Sequence, residues 1–224
     1  MKRFAIIVAG GSGTRMKSSL PKQFLLLQGK PILMHTLEAF HAFDNTLDIF
    51  VGLPADQIDH WKELCLKHEF TLKHQIIKGG STRFQTVKSC LSAISTIGLI
   101  AIHDGVRPLI AKETIAASFN IATQHGAAVA SVRLKESIRR ITPTSTEHAD
   151  RSKFRLIQTP QTFKSDILHE AYALNEEEWM TDDASVVEHA GHSISLFEGS
   201  YDNIKITTPS DLTIAEALLN LKES

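Results

Sequence analysis

The run VAGGSGTRMKSSLPKQF, residues Val8 to Phe24, decides how the rest of the chain is read. It grows out of the apolar stretch Phe4 to Ala9 and sets Gly10, Gly11 and Gly13 ahead of the cations Arg15, Lys17 and Lys22. A buried strand ends there and a cationic glycine loop begins. Because glycine lets backbone N–H groups come close to an anion, a loop of this kind after a first strand is suited to phosphate. A plain connection would have no use for the conformational entropy that Gly-Gly-Ser-Gly costs.

Two familiar glycine loops do not fit. The dinucleotide pattern GxGxxG, begun by Gly11 and Gly13, would need glycine where Met16 stands, and Leu53 is followed by Pro54 rather than an acidic residue. The pattern GxxxxGK[ST] fails because Met16 precedes Lys17-Ser18. Hydride transfer and P-loop chemistry are both disfavoured. A glycine turn, an arginine and a Pro-Lys pair instead suit a nucleoside triphosphate attacked at its α-phosphate. Amides would cradle the outer phosphates while Arg15 and Lys22 face the charge that builds on the α-phosphate, and Lys17 is expected to be dispensable.

The 224 residues, 42% of them hydrophobic, can bury a core, and one domain spanning 1–224 is expected. A formal net charge of -1 excludes a global field favouring nucleic acid or an anionic membrane. Cys65 and Cys90 form no CxxC and no disulfide framework, and no apolar segment approaches the ~20 residues of a membrane span. A cytoplasmic location is the expectation. The scattered histidines show no metal-binding spacing.

Strand-like runs alternate with helical periodicity, the mark of an α/β fold with a mainly parallel sheet. Strands are predicted at 4–9, 48–53, 72–77, 99–103, 127–132 and 193–197. Helices are predicted at 32–43, 56–68, 82–97, 112–124 and 165–174, with another N-capped by Thr181 and a last one starting at Pro209 behind Thr208. In the helix 82–97, Phe84, Val87, Leu91, Ile94 and Ile97 share one face. Residues 133–156 break the pattern with a polar, charge-rich segment that reads as a hairpin arm.

Two further stretches stand at ends of predicted strands, where open α/β sheets bind ligands. KGGSTR, residues 78–83, opens a helix with glycines and hydroxyls; HDGVRP, residues 103–108, places Asp104 beside the loop. A carboxylate near a triphosphate calls for an intervening divalent cation or ribose hydroxyl.

With GGSGTRM, PKQ and HDGVRP in this order, the chain resembles the polyol-phosphate cytidylyltransferases, and the likeness runs through QTPQ and IKIT to cover nearly the whole chain. The branch it is most similar to acts on 2-C-methyl-D-erythritol 4-phosphate; ESIRR and RSKFRLIQTPQ favour that branch. The resemblance implies a Rossmann-like nucleotidyltransferase fold with helices on both faces, a projecting β-arm, a homodimer, a Mg2+ requirement, and the joining of CTP to that acceptor with release of pyrophosphate, a step of the non-mevalonate isoprenoid route.

Residue by residue, it implies that Arg15 and Lys22 stabilise the pentacoordinate transition state. Ala9, Gly10, Gly11, Gly13, Gly80, Ser81, Thr86, Asp104 and Gly105 fall around CTP and its metal, with Asp104 the side chain offered to Mg2+ and also near the acceptor. Arg107, Thr159, Thr181 and Lys205 fall around the acceptor phosphate. Ser137 and Arg151 of the arm would serve the neighbour's site, and Arg151 with Lys205 would position the attacking phosphate. Ser81-Thr82, Gln85-Thr86 and Ser137 depart from the residues usual in the family. The alternatives are the same chemistry on ribitol 5-phosphate or another polyol phosphate, and a non-catalytic nucleotide-binding protein, which would be expected to lack the cationic set.

Overall fold

The computed structural model describes residues 1–11, 16 and 20–223. Its centre is a seven-stranded sheet. The strands are β1 (Lys2–Val8), β4 (Asp48–Leu53), β5 (Gln75–Lys78), β6 (Gly98–Asp104), β7 (Ala127–Arg133), β10 (Arg155–Lys164) and β11 (Ser195–Glu198), in the spatial order β11-β7-β10-β6-β1-β4-β5. All pairings are parallel except those of β10, which runs antiparallel to both β6 and β7. A small hairpin, β2 (Leu26–Leu27) with β3 (Lys30–Pro31), precedes the first helix. A separate ribbon pairs β8 (Ile138–Ile141) with β9 (Thr146–Ala149).

The strands are apolar on both sides because both sides are covered. Along β1, Ala5 and Ile7 enter one core and Phe4 and Ile6 the other. In β6, Leu99 and Ala101 alternate with Ile100 and Ile102 in the same way. The first core is closed by α1 (Ile32–Phe43), α2 (Ile58–Lys67) and α4 (Lys112–His125), through Leu33, Leu37, Trp61, Ile115 and Phe119. The second is closed by α3 (Arg83–Leu91), α5 (Ser165–Ala173) and α6 (Asp183–His189), through Phe84, Val87, Leu168 and Val187. The helix α7 (Pro209–Glu223) packs Ala215 in a third cluster with Leu27, Val106 and Ile206.

Four sequence expectations need correction. No strand is predicted from the sequence over β10, and Pro160 within it cannot donate to a ladder. The structure accommodates Pro160 where the pairing with β7 is interrupted between Ile157 and Gln161. The helix expected to reach Ile97 stops at Leu91; Ser92 and Ala93 turn away and Ile97 is 80% exposed. The strand expected at 72–77 is displaced to Gln75–Lys78. The cap of α6 is Asp182 rather than Thr181, with Asp182 accepting from the Ser185 N–H in a capping box.

Candidate active site

Register brings the motifs together. Val8 lies opposite both Gly52 and Asp104, and Leu53 lies opposite Lys78, so β1, β4, β5 and β6 end at one level. The chain passes from β1 to β4 and β5 on one side and returns to β6 on the other, which opens a crevice beyond the carboxyl ends of β1 and β6. Gly80 belongs there for a steric reason: a Cβ on it would sit 2.3 Å from Cβ of Gln85.

Two cavities share this edge. One, of about 180 Å³, is lined by Ala9, Gly10, Gly11, Lys22, Gly80, Ser81, Thr86 and their neighbours. The other, of about 280 Å³, is lined by Arg107, Gln158, Thr159, Gln161, Thr181 and Asp182 among others. Arg83, Asp104 and Lys205 line both and form the partition between them.

Asp104 is the charged centre of that partition. Its Oδ2 lies 3.1 Å from Lys205 Nζ and 3.1 Å from Arg107 Nε, and its Oδ1 lies 3.9 Å from Arg83 Nε. Burial raises the carboxyl's pKa, but the charges of Lys205, Arg83 and Arg107 outweigh it and hold Asp104 ionised far below the usual carboxylate range. A carboxylate next to phosphate thus has a third remedy besides a cation or a ribose hydroxyl, namely side-chain cations already in place.

The surrounding segments are tied to one another. Arg107 Nη1 donates to the Asn203 carbonyl at 2.7 Å, and Asn203 Nδ2 donates to the Thr159 carbonyl at 2.8 Å. Arg83 donates two bonds, 2.7 and 2.6 Å, to Asp183, which also accepts from the Tyr172 hydroxyl at 2.6 Å. Asp182 accepts from Gln161 Nε2 at 2.9 Å. Through these contacts the HDGVRP turn, β10, α3, α6 and the segment before α7 converge on the partition.

Comparison with known proteins identifies the family. The family model for 2-C-methyl-D-erythritol 4-phosphate cytidylyltransferase matches residues 4–221. The chain belongs to this family. It is 49% identical over 219 residues to 2-C-methyl-D-erythritol 4-phosphate cytidylyltransferase of Bacteroides fragilis, covering 98% of this chain and 100% of the relative. Its similarity to the protein of that name from Porphyromonas gingivalis is 46%, covering 97% of this chain and 98% of the other. Among solved structures, 4-diphosphocytidyl-2C-methyl-D-erythritol synthase from Anaerococcus prevotii superposes with a TM-score of 0.84 at 26% identity, over 98% of this chain and 96% of that one. The Thermus thermophilus cytidylyltransferase gives 0.79 at 30%, over 98% and 100%.

The residues singled out from sequence divide clearly in the structure. Ala9, Gly10, Gly11, Lys22, Gly80, Ser81, Thr86, Asp104 and Lys205 line the first cavity, and Asp104, Arg107, Thr159, Thr181 and Lys205 the second. Gly105 lies beneath the site, where a Cβ would meet Leu33 at 3.0 Å and Ala9 at 3.1 Å. Gly13, Arg15 and Lys17 lie outside the described residues. Ser137 and Arg151 line neither cavity; Arg151 donates to the Lys135 carbonyl within the arm.

Some hydroxyls expected around CTP already have partners. Thr86 donates to the Thr82 carbonyl at 2.9 Å, and Ser81 donates both its N–H and its hydroxyl to Gln85 Oε1. Sequence reasoning missed Arg83, Asn203 and Asp182. Arg83 stood in a quoted motif, but its importance depends on Asp183, a hundred positions away, and spacing carries no trace of that pair.

No group of His, Cys, Asp and Glu able to cage a metal occurs among the described residues. The donor set still fits Mg2+ held mainly by phosphate oxygens, since Asp104 Oδ2 is taken by Lys205 and Arg107 while Arg83 Nε stands 3.9 Å from Oδ1.

Proposed function

We infer that this chain transfers the cytidylyl group of CTP to 2-C-methyl-D-erythritol 4-phosphate, releasing pyrophosphate, as the names of its relatives state for them. The observation that carries this reading is the partition: two adjoining cavities share Arg83, Asp104 and Lys205, so two anions can be brought face to face across fixed charge. The first cavity, with its glycines and Lys22, suits CTP; the second, with Arg107, Thr181 and Lys205, suits the acceptor phosphate.

The chemistry needs positioning more than acid or base. An acceptor phosphate is already ionised at neutral pH, so its oxygen attacks the α-phosphorus directly and the bond to pyrophosphate breaks on the opposite side. Lys205 and Arg107 hold the nucleophile against repulsion; Lys22 and Arg15 neutralise the charge gained at the α-phosphate. Mg2+, held through CTP with Asp104 Oδ1 as the protein ligand, would supply further neutralisation of phosphate charge. A homodimer in which Ser137 and Arg151 complete the neighbour's site, with residues 133–156 as the dimerising arm of a single domain, accounts for their distance from both cavities. The free thiols of Cys65 and Cys90 suit a cytoplasmic setting.

Pyrophosphate release from CTP, measured with each purified acceptor, tests the assignment. Turnover with methylerythritol phosphate exceeding that with ribitol 5-phosphate is expected, and the reverse preference overturns it. Lys22→Ala is expected to lower kcat about 10²-fold, the effect of losing one oxyanion donor; unchanged turnover would refute its role.

A further inference from the structure

We propose that His103 and Thr159 form a positioning pair that aims Asp104 and Arg107, and that Thr159 acts through this pair rather than by donating a hydrogen bond to the acceptor phosphate. The inference rests on the nucleotidyl-transfer reading given above and assigns new work within that site.

Its basis is the direction of a hydrogen-bond chain. His103 Nε2 lies 3.2 Å from the Arg107 carbonyl oxygen, which can only accept, so Nε2 carries a proton. The ring is fully buried against Phe40, and its two nitrogens face a carbonyl and a hydroxyl rather than a carboxylate, so a charge there would be buried unpaired and the ring carries a single proton. Nδ1 is therefore an acceptor, and the Thr159 hydroxyl 3.0 Å away must donate to it. The same hydroxyl oxygen accepts from the Asp104 N–H at 3.1 Å. The chain thus runs one way, from the Asp104 N–H through Thr159 and His103 to the Arg107 carbonyl.

Two consequences follow for the site. The single proton of the Thr159 hydroxyl goes to His103, so this side chain, 4% exposed, can accept from a substrate hydroxyl but has nothing to donate to phosphate. Both ends of the chain are backbone groups of the turn whose side chains bind one another, since Arg107 Nε donates to Asp104 Oδ2 at 3.1 Å. The turn is held at Asp104 by the Thr159 hydroxyl and at Arg107 by the imidazole that this hydroxyl donates to, so loss of either partner leaves the other unpaired and the turn unregistered.

Nitrogen-15 NMR of the His103 ring at pH 7, which does not depend on turnover, is expected to show protonated Nε2 and unprotonated Nδ1; the opposite tautomer or an imidazolium overturns the proposal. Kinetics supply the second readout. Thr159→Val and His103→Phe are each expected to lower kcat/KM about 10- to 100-fold at temperatures where circular dichroism shows them folded. The double variant is expected to be no worse than the poorer single one, because the two residues act as a unit. Thr159→Ser should restore activity. If Thr159→Val raises KM for the acceptor alone and its effect multiplies with that of His103→Phe, Thr159 is a direct phosphate donor and the pair is refuted. Should His103→Phe fail to fold, the Val and Ser variants at Thr159 with the tautomer measurement still decide. An inactive wild-type protein would refute the reaction assignment, while the NMR result would stand separately.

Discussion

Asp104 keeps its charge because Lys205, Arg107 and Arg83 stand within 4 Å of it, and His103 keeps its neutrality because burial outweighs the Arg107 carbonyl and the Asp104 charge that favour protonation, with Arg107 and Lys205 adding to the effect of burial. Burial favours the neutral form of both adjacent residues, and only at Asp104 do neighbouring charges overcome it. For His103 the consequence is a stability that depends on pH. An unfolded histidine takes up a proton near pH 6.5, whereas in the folded protein this one holds out to about 4. Its contribution is complete above pH 6.5 and is lost as the pH falls to about 4, because only the unfolded chain binds the proton over that interval. The loss is roughly 3 kcal/mol at most, since each pKa unit corresponds to about 1.4 kcal/mol. Urea denaturation at several pH values should therefore show wild type losing more stability than His103→Phe between pH 6.5 and 4. Parallel pH profiles for the two proteins would mean that the ring is not held neutral.

At the scale of elements, the helices and strands that depend on local signals were readable and those that depend on distant partners were not. The span Ile32–Phe43 and the strand Asp48–Leu53 fall where periodicity put them, because each has a clean apolar pattern. The first cavity was largely legible for the same reason: Gly10, Gly11, Gly80 and Asp104 all follow predictable strands. β10 was hidden by Pro160, and Arg83 by a partner on α6. That pair makes an element-level claim of its own. Asp183, 0% exposed, fixes the Arg83 guanidinium and accepts from Tyr172, so it locks α3, α5 and α6 together beside the partition. Asp183→Asn leaves the guanidinium with only the Asp104 carboxylate 3.9 Å away and is expected to destabilise by about 3 kcal/mol, the low end for a broken buried pair because that charge and some solvent contact remain. Tyr172→Phe, which removes a single hydrogen bond, should lose about 1 kcal/mol. Chemical denaturation gives both numbers, and a variant at Asp183 as stable as wild type would show that the pair does not hold these helices.

For the whole molecule, what matters is how the arm relates to the two cavities. Residues of the ribbon β8–β9 are mostly exposed, and apolar side chains along the arm stand in solvent, with Ile141 beside its turn at 75% and Leu156 and Phe154 nearer the sheet at 52% and 43%. A single chain has no cover for them, and its Arg151 lines neither cavity. A two-fold dimer answers both points if each arm lies against its neighbour and brings Arg151 to the other site. Complementation tests this sharply. In a mixed dimer of Lys22→Ala and Arg151→Ala chains, one site carries both lesions while the other has an intact Lys22 and receives an intact Arg151. Random re-pairing of equal amounts makes half the dimers mixed, each with one complete site, so about a quarter of wild-type activity should return from two nearly inactive parents. Sedimentation should show the dimer under the same conditions. If the re-paired mixture is no more active than its parents although mixed dimers are present, Arg151 does not act across the interface.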